Sequence, residues 1–167
     1  MKNFLFLLLF SATIFLFNSC DTYVDVPEPE PELINNKITY KTDDWRTVSV
    51  FANNFDANIT SHTCNQGNGI IIFDDELTII GANAFWGEDN LISIDLPETI
   101  NSIGNCCFGG CQRLKTVYIR STVPPRLEGN VFFSTSLRIY VPASCKTAYE
   151  NASDWELYRD NLVFTNY

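Results

Sequence analysis

The chain carries a pattern of apolar and polar positions that repeats after 23 residues. Residues 91–96 read LISIDL and residues 114–119 read LKTVYI, so that Leu aligns with Leu and Ile with Val at an offset of 114 − 91 = 23. The same offset places Ile80-Gly81 on Ile103-Gly104. Because a repeat this short cannot bury its own apolar face, we expect successive copies to stack into a solenoid.

Each predicted unit consists of a strand, a polar stretch, an Ile-Gly pair and a phenylalanine. Phe85 and Phe108 occupy equivalent positions, and we expect their rings to project inward and stack as a ladder. The glycine of the Ile-Gly pair is predicted to permit a turn that a side chain would obstruct. The repeats cover residues 67–136, with units at residues 68–90, 91–113 and 114–136.

The third unit departs from this pattern. Residues 123–127 replace the Ile-Gly pair, and the phenylalanine comes late, at Phe132 and Phe133. Residues 137–142 are predicted to form a last strand, and Ser144 is predicted to cap a short helix that runs towards Asn151. Residues 137–167 are therefore predicted to contain the last strand and a C-terminal helical cap. The apolar side chains expected to cover the open end of the stack are Trp155, Tyr158, Leu162 and Phe164.

The segment before the repeats is predicted to cover their other end. Residues 38–42 and 47–51 are rich in β-formers and alternate, and Asp43-Asp44 between them supplies turn chemistry. A hairpin of these two strands would shield the apolar end of the stack from water. We therefore interpret residues 37–66 as an N-terminal β cap.

The first 19 residues have the pattern of an export signal. Lys2 precedes an apolar run of about 14 residues, which is shorter than the roughly 20 needed to span a bilayer as a helix. Ser19 and Cys20 resemble a lipobox, in which the cysteine becomes the acylated N-terminus, although Phe17 stands where that pattern usually has Leu. Lipidation at Cys20 is the favoured interpretation, and plain secretion and an uncleaved anchor are the alternatives.

Residues 20–36 are predicted to form a tether between the membrane and the folded part. Residues 26–32 read VPEPEPE, in which proline alternates with residues whose like charges repel one another. Cleavage before Cys20 would leave 10 basic and 20 acidic residues, a formal charge of 10 − 20 = −10. Such a charge argues against nucleic acid as a partner. It is more typical of a protein that is kept soluble at a crowded surface by charge repulsion.

The cysteines and the histidine suggest no cofactor or metal. Five cysteines besides Cys20 leave an odd thiol, and Cys107 falls on the small core position of Ala84. The CC-x3-C group is not a zinc spacing, and no histidine lies near it. His62, beside Cys64, is better read as structural than as half of a catalytic pair.

The repeats resemble those of BspA-like leucine-rich-repeat proteins. The segments that carry this resemblance are residues 80–85, 95–100, 102–104 and 107–111, with residues 139–143, Ala148-Tyr149 and Trp155 as the usual C-terminal end. The resemblance implies a mainly β fold, a short right-handed leucine-rich-repeat solenoid with a parallel sheet on one face. It also implies export by a bacterium, often as a surface lipoprotein, and larger members are associated with adhesion.

The outward positions of the predicted sheet form two rows. One row contains Ile70, Ser93, Thr116 and Arg138; the other contains Ile72, Asp95, Tyr118 and Tyr140, and Arg120 borders them. Tyrosine and arginine are enriched at binding hot spots, so Tyr118, Tyr140, Arg120 and Arg138, with Asp95, form a candidate face for a protein or glycan. The simpler alternative is that tyrosine has high β-propensity and tolerates half exposure.

Three functions fit this sequence to different degrees. A lipid-anchored binding or adhesion module at the outer membrane or cell surface fits the lipobox, tether and repeats. A structural or accessory subunit of an envelope complex fits the small number of repeats. An enzyme is disfavoured, because no nucleophile, paired carboxylates or phosphate loop can be assembled from these motifs.

Overall fold

The computed structural model describes residues 35–132 and 136–167. Contacts divide the chain into Met1–Pro31 and Glu32–Tyr167, and the fold described here is that of the second unit. The predicted signal peptide, Cys20 and nearly all of the predicted tether lie outside the described residues. No helix among the described residues has the length and apolar character to cross a membrane.

The described residues are mainly β. Three 3-10 helices lie at Ala52–Asn54, Ala143–Cys145 and Ser153–Asn161. The strands and the α-helix are β1 (Lys37–Thr42), β2 (Ile59–Asn65), β3 (Asn68–Phe73), β4 (Ile79–Ile80), β5 (Leu91–Leu96), β6 (Ser102–Ile103), β7 (Thr116–Ile119), β8 (Arg126–Leu127), β9 (Arg138–Pro142), α1 (Lys146–Asn151) and β10 (Leu162–Thr165).

The strands form two sheets. The larger has the order β10-β9-β7-β5-β1-β3-β2, and the smaller has the order β4-β6-β8. The smaller sheet is parallel throughout, and β5, β7, β9 and β10 are parallel in the larger one. In contrast, β3 pairs with β1 and with β2, and β1 also pairs with β5, all in antiparallel fashion. The larger sheet therefore has a parallel part and an antiparallel part.

The repeat offset sets the register between β5 and β7. Asp95 lies opposite Tyr118 and Leu96 opposite Ile119, which is the predicted alignment. Between β7 and β9 the step is shorter by one residue, so Tyr118 lies opposite Tyr140 as predicted. Because strand side chains alternate between the two sides of a sheet, this register keeps the outward positions in rows and buries the intervening apolar ones.

The predicted phenylalanine ladder is present in the core. The rings of Phe85 and Phe108 stack with centroids 5.3 Å apart and planes 9° from parallel. Phe132 continues the ladder with the same 5.3 Å spacing from Phe108 and an angle of 6°. All three side chains are buried. Phe133, the other predicted candidate, lies outside the described residues.

Glycine in the Ile-Gly pair is required by close packing between repeats. A Cβ atom on Gly104 would lie 2.3 Å from the backbone nitrogen of Ala82 in the preceding unit. The left-handed backbone conformation instead falls two residues later, at Asn83 with φ 59° and Cys106 with φ 55°. Gly129, at the next 23-residue step, has φ 70°. The turn therefore depends on the positions of Asn83, Cys106 and Gly129, whereas the glycine of the Ile-Gly pair allows neighbouring units to pack closely against each other.

The predicted N-terminal hairpin is wrong. Residues 47–51 form no strand, and β1 pairs with β3 on one side and β5 on the other. The segment that contains Ile70 and Ile72 was expected to lie beside β5, but β1 separates them: Thr39 lies opposite both Ile70 and Asp95. The repeat pattern identifies which residues face the core, but it does not set the order of the strands. Because β1 also buries two side chains, Ile38 and Tyr40, it can occupy the position between β3 and β5.

The C-terminal segment contains the predicted helix and one strand that was not predicted. The helix α1 has no side-chain cap, so the predicted cap by Ser144 is wrong. Trp155 is fully buried, and its Nε1 donates a 2.8 Å hydrogen bond to the carbonyl of Pro125. Tyr158 is also buried. Leu162 and Phe164, expected as a cover, belong to β10 and are half-buried.

Candidate binding face

Two tyrosines stack on the exposed side of the larger sheet. Tyr118 in β7 and Tyr140 in β9 lie directly opposite each other, with ring centroids 4.9 Å apart and planes at 28°. Both are half-buried. Because each ring rests on the other and on a rigid strand, the pair presents apolar surface with little side-chain freedom to lose on binding.

An ion pair adjoins the tyrosines. Arg120 follows β7, and its Nε and Nη2 donate hydrogen bonds of 2.7 and 2.6 Å to the two carboxylate oxygens of Asp95. The hydrogen bond to Asp95 raises the pKa of the Arg120 guanidinium above its ordinary value. Both side chains are partly exposed, so the pair adds little to stability. Its effect is to hold the guanidinium beside Tyr118.

A third tyrosine, missed by the sequence analysis, completes the group. The guanidinium carbon of Arg120 lies 4.7 Å from the ring centroid of Tyr167, a cation–π distance. The Tyr167 hydroxyl donates a 2.8 Å hydrogen bond to the carbonyl oxygen of Tyr140. Burial raises the pKa of Tyr167 to about 12, so the hydroxyl stays protonated. Tyr167 lies beyond the repeats, and no repeated position could have indicated it.

We call these five residues the tyrosine face: Asp95, Tyr118, Arg120, Tyr140 and Tyr167. Arg138, the remaining predicted residue, lies two positions before Tyr140 on β9 and is exposed on the same side. Within the described residues it has no ion pair, in contrast to Arg120. The predicted residues therefore lie on one side of the sheet, and Arg120 among them is paired with Asp95.

A depression adjoins the tyrosine face beyond Arg120. It has a volume of about 400 Å³, and its lining combines both signs of charge: Lys37 and Arg120 with Asp95 and Glu98. Thr39 of β1 contributes to the floor, which follows from the insertion of β1 beside β5. The surface available to a partner thus extends from the stacked tyrosines across the ion pair into this depression.

The remaining candidate side chains have structural partners. The hydroxyl of Tyr40 and Nε2 of His62 are 2.7 Å apart, and burial lowers the pKa of His62. Cys107 and Cys111 are buried; burial raises the pKa of Cys111 to about 12, which keeps this thiol protonated and unreactive. The predicted core position of Cys107 is confirmed. No group of three metal-ligating side chains suited to an ion occurs among the described residues.

The fold and this surface define a class of protein built from parallel β repeats, with aromatic and charged side chains on the exposed side of its sheet. A model of the BspA type leucine rich repeat region matches residues 58–154 with 6 copies. The match covers more than half of the chain, which therefore belongs to this family, as the resemblance implied.

The family fits a recognition role better than a catalytic one. Its repeats generally mediate protein binding, and the family is not typically enzymatic. The comparison with curated proteins found no match.

Proposed function

We propose that the chain is a lipid-anchored recognition module of the bacterial envelope and that its tyrosine face binds a protein partner. The observation that carries this proposal is the cluster itself, in which stacked Tyr118 and Tyr140 are flanked by Arg120 and Tyr167. Tyrosine and arginine are the residue types that dominate binding energy at protein interfaces. The mixed charges beside them supply the polar rim that such interfaces have.

The rigidity of the cluster supports the same conclusion. The Tyr167 hydroxyl is bonded to the backbone carbonyl of Tyr140, and its ring contacts the Arg120 guanidinium, so the side chains of Tyr167 and Arg120 are ordered before a partner arrives. Ordering side chains costs about 0.5–1.5 kcal/mol each when it happens on binding. A face that is already ordered avoids this cost.

The proposal includes the finer architecture. The units at residues 67–136 form a short right-handed solenoid, with residues 37–66 as its N-terminal β cap and residues 137–167 as its last strand and C-terminal helical cap. Buried Trp155 and Tyr158 at one end and the antiparallel strands at the other are the features that support caps. Cys20 carries the lipid, and residues 20–36 hold the module away from an outer membrane or cell surface.

The test is binding of the full chain, purified in detergent, to an array of extracellular-matrix proteins. We expect a hit that the double variant Tyr118→Ala/Tyr140→Ala loses. Leu157→Ala is the matched control, because Leu157 is an apolar side chain that is 74% exposed and lies outside the tyrosine face. Retained binding in the double variant would refute the assigned face. No binding by a folded sample would favour an accessory subunit of an envelope complex.

Anchoring and side are tested separately. Incorporation of labelled fatty acid into the wild-type chain but not into Cys20→Ser would support lipidation, and equal labelling of both would contradict it. Protease added to intact cells should release the folded module if it faces outward. Protection of the module would place it on the periplasmic side.

A further inference from the structure

A second concave site lies outside the tyrosine face. It forms where the 3-10 helix Ala52–Asn54 meets the turn between β4 and β5, as an open depression of about 320 Å³. Its lining residues are Phe51, Asn54, Asn83 and Trp86. Two aromatic rings and two amides thus converge on one small pocket whose four lining residues carry no charge.

The two rings are unusually exposed for their size. Phe51 is 54% exposed and Trp86 is 49% exposed. The Trp86 ring rests over Gly109, where a Cβ atom would come within 2.3 Å of it. The ring is therefore supported from beneath by backbone while half of its surface stays accessible. Exposed aromatic surface gathered in a concavity indicates a binding site rather than a solvated surface.

The two amides supply hydrogen-bonding groups beside the rings. Asn54 Nδ2 donates to the carbonyl oxygen of Ala82 at 2.7 Å, which leaves its oxygen as an acceptor. The Asn83 side chain has no hydrogen bond within the described part of the chain, so it offers both donors and an acceptor. A ligand that matches this lining both donates and accepts hydrogen bonds.

The two walls of the pocket are held together before any ligand binds. The backbone nitrogen of Gly81 donates to the carbonyl of Asn54 at 2.6 Å, and that of Phe51 donates to the carbonyl of Ala84 at 3.2 Å. Gly81 also lies too close to Asn54 to carry a side chain. Because the walls are fixed, little ordering cost opposes binding.

We propose that this pocket binds a short neutral saccharide. A sugar ring has apolar C–H faces that suit the electron-rich faces of Phe51 and Trp86, and its hydroxyls both donate and accept towards Asn54 and Asn83. The pocket volume lies at the small end of the range for small-ligand sites. The formal charge of −9 disfavours an acidic saccharide.

Isothermal titration of the full chain in detergent tests this site. The probes are four neutral trisaccharides: cellotriose, maltotriose, mannotriose and N,N′,N″-triacetylchitotriose. We expect at least one to bind and both Phe51→Ala and Trp86→Ala to weaken it at least about tenfold. Asn83→Gly should weaken it about fivefold, because it removes one amide while glycine accepts the left-handed backbone without strain.

Controls separate this site from folding effects and from the tyrosine face. Trp45→Asn removes another tryptophan, 71% exposed, and asparagine tolerates its positive φ, so binding should not change. Tyr118→Ala/Tyr140→Ala should also leave saccharide binding unchanged, so that either binding activity can fail without the other.

Three results would overturn the proposal. The first is that none of the four probes binds with a dissociation constant below about 10 mM when urea unfolding shows a folded chain. The second is that Phe51→Ala and Trp86→Ala both retain wild-type affinity. The third is that the pocket binds a proline-rich peptide and no saccharide, since aromatic grooves also accept such peptides.

Discussion

Replacement of Phe108 by alanine tests whether the repeats depend on the aromatic ladder. The ring lies between Phe85 and Phe132, 5.3 Å from each, and the side chain is 2% exposed. Truncation of a buried phenylalanine costs about 3–5 kcal/mol. The substitution also removes two stacked ring pairs, each worth about 0.5–1.5 kcal/mol beyond burial. The rings of Phe85 and Phe132 are fixed by their own units and cannot fill the cavity. We expect a loss near the upper end of that range.

The assay is urea unfolding followed by far-UV circular dichroism, with the free energy of unfolding obtained by linear extrapolation. A domain of this kind has about 5–15 kcal/mol of stability, so the midpoint should fall steeply. Phe51→Ala is the control, because this phenylalanine is about half exposed and its truncation should cost no more than about 1.5 kcal/mol. If Phe108→Ala costs less than about 1 kcal/mol, or no more than Phe51→Ala, the ladder does not stabilise the stack as argued.

Three further predictions concern single contacts. Burial lowers the pKa of His62 from 6.5, so the unfolded state takes up its proton first and stability should fall as pH drops below about 6.5. His62→Gln should flatten that part of the urea-midpoint profile; an unchanged slope would contradict this. Trp155→Phe leaves the buried carbonyl of Pro125 without its donor and should cost about 1–3 kcal/mol in urea unfolding, whereas wild-type stability would refute the bond's role. Gly104→Ala pushes a methyl group against Ala82 and should cost about 1–3 kcal/mol by the same assay; a neutral effect would show that the units can separate freely.

The repeat offset was enough to predict which side chains of the repeats stack in the interior. Residues that recur every 23 positions in a stack of parallel strands must lie above one another, and this places Phe108 over Phe85 and Tyr118 over Asp95. The repeat offset could not predict the order of the strands in the larger sheet. The residues of β1 do not determine whether it pairs with residues 47–51 or lies between β3 and β5, because both arrangements bury Ile38 and Tyr40.

The tyrosine face was only partly predictable for the same reason. Tyr118, Tyr140 and Asp95 follow from register, and Arg120 follows because it stands two residues beyond the position opposite Asp95. Tyr167 reaches Tyr140 from outside the repeats, through a strand that pairs by tertiary contact alone. The pocket of Phe51 and Trp86 joins a 3-10 segment to a repeat turn across 35 positions of sequence, 86 − 51, and no periodicity links them.

The two sheets advance together, and this makes the fold modular. In passing from one unit to the next, β4 is followed by β6 and β5 by β7, each in parallel and with the same 23-residue step. Duplication of residues 91–113 in a gene would add one strand to each sheet without changing the contacts at either end. A lineage could thus lengthen or shorten the recognition surface by whole units while it keeps the same terminal segments.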